Sequence, residues 1–197
     1  LTVLDGTFAT IGGGEGFDEV VLADGSGGTV LLEGEVEAVT GGFGFDTVQL
    51  GDEFNGVVEL SGVEMALGGF GDDVLTVTDG TFATIDGGEG FDSVQLTDDF
   101  GGFVDLSAVE LITGGFGDDV LTVTDGTFAT IDGGEGFDSV QLTDDFGGFV
   151  ELSAVETVTG GDGDDVLTVV DGTFATIDGS DGFDEVILTD DFGGRVS

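Results

Sequence analysis

Apolar residues recur along this chain in short alternating runs. In VLTVTD, residues 74–79, Leu75 and Val77 alternate with Val74, Thr76 and Thr78; in SVQL, residues 93–96, Val94 and Leu96 alternate with Ser93 and Gln95. Period-2 alternation of this kind marks a strand with one face buried. Each run is bounded by glycine-rich or Asp-Gly stretches that turn the chain. No apolar stripe of helical period is present, and Gly and β-branched residues dominate, so helices are not expected.

The turns themselves recur. GGFGDDVLT at 68–76 returns unchanged at 114–122 and as GGDGDDVLT at 160–168. Related nonapeptides start at Gly13, Gly41, Gly68, Gly87, Gly114, Gly133, Gly160 and Gly179. From Gly68 onward the spacing alternates between short, as from Gly68 to Gly87, and long, as from Gly87 to Gly114. The repeat units 68–113 and 114–159 differ at only three positions, and 160–197 is a partial third unit. The sixth position is always aspartate: Asp18, Asp46, Asp73, Asp92, Asp119, Asp138, Asp165 and Asp184. A second aspartate follows each at a fixed offset, at Asp24, Asp52, Asp79, Asp98, Asp125, Asp144, Asp171 and Asp190. All length variation falls after it, where the return segment is TFATID or the longer FVDLSAVELIT.

Each cycle thus reads as turn, strand, turn, strand. One cycle has too few apolar residues to fold alone and must stack on its neighbours. The expected fold is all-β: a parallel β-solenoid of about eight coils, one nonapeptide per coil, with two parallel sheets around an aliphatic ladder. Residues 1–197 form one continuous domain, and the chain begins and ends inside a repeat, as an excerpt of a longer repeat protein would.

Charge sharpens the picture. Forty-three acidic residues face a single base, Arg195, for a net charge of −42, and 41 residues are glycine, about three times the usual share. A compact state at that charge repels itself unless counterions bind. Nucleic acid and anionic membranes are poor partners, and no apolar run reaches the length of a membrane span. Without cysteine there is no disulfide from which to read the redox compartment.

Stacking places equivalent residues of adjacent coils above one another, so the sixth-position aspartates are expected to form one column of carboxylates along one edge. Like charges about 5 Å apart repel by roughly 1 kcal/mol even in water, and by more when desolvated. Cations between them relieve this. Ligands made only of oxygen, carboxylate plus glycine carbonyl, suit Ca²⁺ at six to eight coordination, and the absence of His and Cys disfavours zinc, copper and iron–sulfur centres.

GGFGDDVLT and GGEGFDSVQ resemble the nonapeptide G-G-x-G-x-D-x-U-x of the RTX (repeats-in-toxin) calcium-binding proteins, U being a large aliphatic. Gly68, Gly69, Gly71, Asp73 and Leu75 match it, as do Gly87, Gly88, Gly90, Asp92 and Val94; GSDGFDEVI departs with Ser180 at the second glycine. The resemblance implies a parallel β-roll in which stacked turns enclose Ca²⁺. The ligands would be the eight sixth-position aspartates and backbone carbonyls such as those of Gly41, Gly68, Gly87, Gly114, Gly133 and Gly160. The chain departs from the family pattern, which runs nonapeptides in tandem, in having one per coil, with long and short coils alternating. The opposite edge, with Asp79, Asp98, Asp125, Asp144 and Asp171, either binds calcium in another way or only turns the chain. Eight turns give at most seven sites between coils, and seven Ca²⁺ would bring −42 to −28.

Other patterns divide between packing and binding. Phe8, Phe82, Phe128 and Phe174, and Phe54, Phe100, Phe146 and Phe192, are expected to pack across the coil or cover its flank; the alternative is an exposed aromatic face. Asp86, Asp132 and Asp178 are either auxiliary ligands or solvated charges. Thr76, Thr78, Thr81 and Thr84 read as outward-facing strand residues rather than an ice-binding array. Catalysis is not expected, because every acidic pair is repeated and no asymmetric constellation stands out. The pattern reads as a calcium-rigidified structural segment of a secreted or cell-surface bacterial protein: a filament, matrix, surface-layer or adhesin component. Its partners would be calcium, further copies of itself or a matrix component, and the resemblance to RTX proteins implies export by type I secretion. The alternative is a non-catalytic accessory module of a secreted enzyme or toxin.

Overall fold

The computed structural model describes residues 1–3, 8–23, 25, 27–52, 54, 56–79, 82–97, 102–125, 128–143, 148–171 and 176–189. Asp24, Asp98, Asp144, Asp190, Thr81, Phe100, Phe146, Phe174, Phe192 and Arg195 lie outside them, as does the side chain of Phe82. Among the described residues there is no helix. The described residues form twenty-one strands that alternate between two sheets, the odd-numbered ones in chain order forming an eleven-stranded sheet and the even-numbered ones a ten-stranded sheet. The fold is a parallel β-solenoid, with somewhat more turns than the eight expected.

Register fixes the perimeter. In the first sheet Val74 pairs with Ser93 and Ser93 with Leu111; in the second Phe82 pairs with Phe103 and Phe103 with Val120. Successive partners thus sit one full turn apart, and the two sheets keep step. Pairing in register puts Val94 over Leu75, Leu96 over Val77, and Val140 over Leu121. All six are buried to 2 % exposure or less, and the alternating strand pattern delivers one such residue at every second position. Each contributes about 1.5–3 kcal/mol by leaving water, and the ladder they form is the core.

The long single coil is corrected. Residues 68–113 hold five strands, Val74–Asp79, Phe82–Asp86, Ser93–Leu96, Phe103–Ser107 and Leu111–Thr113, and residues 114–159 hold another five. Each unit therefore takes two and a half turns. A long coil cannot pair in register with a short one, so the extra residues fold into a further half turn. FVDLSAVELIT is two strands with a corner at Ala108–Glu110, not one return strand. Ala108 and Ala154 take positive φ there (48° and 50°), where the equivalent corner of an earlier turn uses Gly62 (φ 60°).

Because five is odd, near-identical sequence alternates between sheets. Val74–Asp79 belongs to the eleven-stranded sheet, and its copy Val120–Asp125 to the ten-stranded one. The single column of eight aspartates is corrected with it. On the edge where the chain passes from the ten- to the eleven-stranded sheet lie the turns carrying Asp18, Asp73, Asp92, Asp165 and Asp184. On the opposite edge lie those carrying Asp46, Asp119 and Asp138. Asp79 and Asp171 share that opposite edge, whereas Asp125 shares the first; all three are exposed. The second-edge aspartates are therefore not one column either.

Candidate functional site

The aspartates form short stacks. Asp73 lies one turn before Asp92, Asp119 before Asp138, and Asp165 before Asp184; Asp18 and Asp46 have no second nonapeptide in the next turn of their edge. Nonapeptides are thus stacked directly on one another at three steps, not seven.

In each pair the backbone N–H of the first aspartate donates to the carboxylate of the second. Asp73 donates to Asp92 Oδ1 and Asp119 to Asp138 Oδ1 at 2.8 Å, and Asp165 to Asp184 Oδ1 at 3.1 Å. The next turn continues the chain of bonds with a residue that sequence reasoning missed. Asp92 N–H donates to Glu110 Oε2 and Asp138 N–H to Glu156 Oε2, both at 2.8 Å. The single nonapeptides do the same, Asp18 to Glu37 and Asp46 to Glu64, again at 2.8 Å. The spacing held the signal: each of these glutamates stands one coil length after its aspartate, beside or just after a valine.

The two nonapeptide versions also divide labour. Asp72, Asp118 and Asp164, at the fifth position of the first turn, accept from the N–H of Phe91, Phe137 and Phe183 in the second. A phenylalanine at that position could not accept, so GDD precedes GFD in every pair.

Glycine is required where turns stack. A Cβ on Gly87 or Gly133 would land on the carbonyl oxygen of Ala108 or Ala154 in the next turn, and one on Gly68 or Gly114 on that of Gly87 or Gly133. Ser180 nevertheless keeps its turn, at φ 66°, with its hydroxyl donating to the Gly160 carbonyl at 3.0 Å. Gly87, Gly133 and Gly179 thus bring their carbonyl oxygens against Gly68, Gly114 and Gly160.

The stacks bury their carboxylates. Asp46 is 1 % exposed, and Asp73, Asp92, Asp119, Asp138 and Asp165 are fully buried. No hydrogen bond of good geometry reaches either carboxylate oxygen of Asp73 or Asp119, or Asp92 Oδ2, Asp138 Oδ2 and Asp165 Oδ1. The N–H groups of Gly69, and of Gly115 and Gly102, nevertheless lie near enough to Asp73 and Asp119, respectively, to favour their charged forms. The chain's only basic side chain is Arg195, so no lysine, arginine or histidine stands among the described residues to pair with them. Burial pushes Asp73 up to about 6, the Asp92 charge adding and the Gly69 backbone opposing. Burial also lifts Asp138 to about 6 against the N–H of Asp119, with the charges of Asp119 and Glu156 adding. Asp92, Asp119 and Asp165 are raised as well, burial being the largest cause in each.

A pH dependence follows. A carboxyl raised in the fold from 3.8 to about 6 stabilises the fold fully below 3.8, and that stability is lost as pH rises through 6. In metal-free buffer the chain is expected to gain β structure and melting temperature as pH falls from 7 to about 4. Thermal melts followed by circular dichroism check this; a metal-free melting temperature that falls with acidification contradicts it.

Other expected residues sort differently. Asp86 and Asp132 are half-buried and accept from Ser107 and Ser153 hydroxyls at 3.3 and 3.5 Å. Asp178, exposed, accepts the Ser180 N–H at 3.2 Å. Thr78 and Thr97 hydroxyls donate to the carbonyls of Leu60 and Thr78 in the preceding turns, which ties threonine to the stack. Phe54 packs inside, but Phe8 and Phe128 are 64 % and 44 % exposed, which corrects the packed reading for those two. Phe70, Phe91, Phe116 and Phe137 also stand out on the acidic turns.

The donor set fits a hard cation. Among the described residues no three acidic side chains converge as a metal cluster. Each step offers at most two carboxylates, so a bound ion would take its remaining oxygens from backbone carbonyls. No family model matches the chain, and no curated protein and no solved structure matches it either.

Proposed function

We propose that this solenoid is a calcium-rigidified structural segment of a secreted or cell-surface protein. The observation that carries the reading is the short stacks of buried carboxylates on both edges, with unpartnered oxygens and no basic side chain among the described residues to neutralise them. A buried ionised carboxylate without a partner is costly, and it either takes a proton or takes a cation. Oxygen-only ligands favour calcium among the common cations, and extracellular calcium is abundant enough to supply it. The resemblance of the nonapeptides to RTX repeats points the same way.

Asp73 with Asp92, Asp119 with Asp138, and Asp165 with Asp184 would hold the ions, with carbonyls of the glycine turns completing each shell. Calcium there would supply charge neutralisation and cross-linking between adjacent turns. Near-identical units suit a rod, whose use depends on length and on repeated faces. Further copies of the chain or a matrix component are the partners this reading implies.

Calorimetric titration with CaCl₂ at neutral pH tests the reading. Several ions per chain are expected, with protons released as the raised carboxyls ionise. A chain that binds no calcium at millimolar concentration would refute it.

A further inference from the structure

We infer that Glu37, Glu64, Glu110 and Glu156 are cation ligands that close each aspartate stack, each completing a one-ion site with the aspartate one turn before it. The inference rests on the calcium reading above and extends it to residues outside the nonapeptide. It begins from a fourfold coincidence of geometry. Each glutamate accepts the backbone N–H of its aspartate at 2.8 Å, the distance of the links from Asp73 to Asp92 and from Asp119 to Asp138. Its own backbone is pinned in return: the N–H groups of Glu37, Glu64, Glu110 and Glu156 donate to the carbonyls of Asp18, Asp46, Asp92 and Asp138 at 3.0–3.2 Å. The preceding valine of each corner, Val36, Val63, Val109 or Val155, is buried in the core.

Side-chain length fits the corner. The chain turns over 108–110 there, where the nonapeptide uses the longer stretch 87–92. The extra methylene of glutamate lets the carboxylate reach the position that aspartate occupies from the larger turn. Glutamate in the corner is thus the stereochemical counterpart of aspartate in the nonapeptide.

The second observation is independent of these bonds. Asp92 Oδ2 and Asp138 Oδ2 belong to fully buried side chains and have no partner, and each lies one turn before a glutamate carboxylate. Two carboxylates, one of them wholly buried, lie within electrostatic reach of each other, and no lysine, arginine or histidine stands among the described residues. The Glu110 charge adds to the rise at Asp92, and the Glu156 charge to that at Asp138. A divalent cation neutralises both members, and oxygen ligands select a hard one. At Asp18 and Asp46 the inference rests on the shared glutamate bond alone: Asp46 Oδ1 and Oδ2 already accept from the N–H of Gly28 and Gly42, and Asp18 Oδ2 from that of Gly14, so an ion there would share these oxygens. Three Asp–Asp steps and four Asp–Glu steps then bind ions on alternating edges of one rod.

A bare structural lock is the competing role, and glutamine separates the two. Its Oε1 still accepts the aspartate N–H, so the lock survives while the charge goes. The test is calorimetric titration with CaCl₂ of the full chain, of the variant with Glu37, Glu64, Glu110 and Glu156 all changed to Gln, and of a charge-matched control. The control changes the exposed Glu33, Glu59, Glu135 and Glu151 to Gln. The corner variant is expected to lose the four Asp–Glu ions and keep the three Asp–Asp ions, with the same circular dichroism in saturating calcium. The control is expected to keep all of them.

An unchanged ion count in the corner variant overturns the inference while leaving the calcium reading intact. An equal loss in the control overturns it too, since charge alone would then be responsible. A parent chain that binds no calcium overturns both. If the fourfold variant does not fold, Glu110→Gln alone decides, by losing one ion or none.

Discussion

Changing Asp119 and Asp138 together to Asn is expected to stabilise the chain without calcium and destabilise it with calcium. Both side chains are buried, and three of their four carboxylate oxygens receive no hydrogen bond of good geometry. Asparagine fills the same volume, and its Oδ1 can still accept the Asp119 N–H that now reaches Asp138. In calcium-free buffer at neutral pH the substitution removes two desolvated charges, so the variant should keep more β signal than the parent. On the calcium reading it removes two ligands, and in calcium the loss should be about 2 kcal/mol or more, as for a buried ion pair deprived of one partner. Circular dichroism in chelator and thermal melts in calcium measure the two arms. A shift of the same sign in both conditions would mean that the carboxylates serve the fold alone.

The second large effect comes from the backbone. Gly133→Ala would set a methyl group on the Ala154 carbonyl oxygen and within 2.9 Å of the Asp138 side chain. Neither gives way cheaply, because one is backbone and the other is a carboxylate held by the Asp119 N–H. A loss of about 3 kcal/mol or more is expected, at the upper end for single substitutions. Gly14→Ala is the comparison: nothing lies within 4 Å of the added Cβ, so a change of about 0.5 kcal/mol or less is expected. Denaturant unfolding in saturating calcium ranks the two. Equal stabilities would show that the stacked turns are looser than the spacing implies.

Much of this fold could be read from the chain. Period-2 alternation in VLTVTD and SVQL marked the strands, and the near-identity of units 68–113 and 114–159 marked the stacking. The edge on which each aspartate sits could not be read the same way, because the corner that decides it is concealed. Ala108 and Ala154 take a left-handed conformation within an apolar stretch, and alanine is not a turn residue. A glycine of positive φ betrays the corner in SGVE at 61–64 and in GEVE at 34–37, but not in the units 68–113 and 114–159. Once it is missed, the stretch 87–113 looks like one long coil rather than a turn and a half.

The glutamates were missed for the same reason. Glu64, Glu110 and Glu156 stand at one common offset from Asp46, Asp92 and Asp138, and that offset means something only when the perimeter of the solenoid is known. Exposure of Phe8 and Phe128 likewise depends on which way a strand enters its sheet. Composition alone fixed neither.

On the calcium reading, the buried carboxylates stay ionised at neutral pH because an ion neutralises them, so ion binding and folding are one process. Where a site does not preexist in the unfolded chain, binding free energy is folding free energy. The most direct measurement is a calcium titration of the metal-free chain at neutral pH, followed by far-ultraviolet circular dichroism. Little β signal is expected at the start, then a cooperative rise as calcium is added, and full reversal by chelator. A chain with complete β structure before the first addition, unchanged to the last, would contradict it.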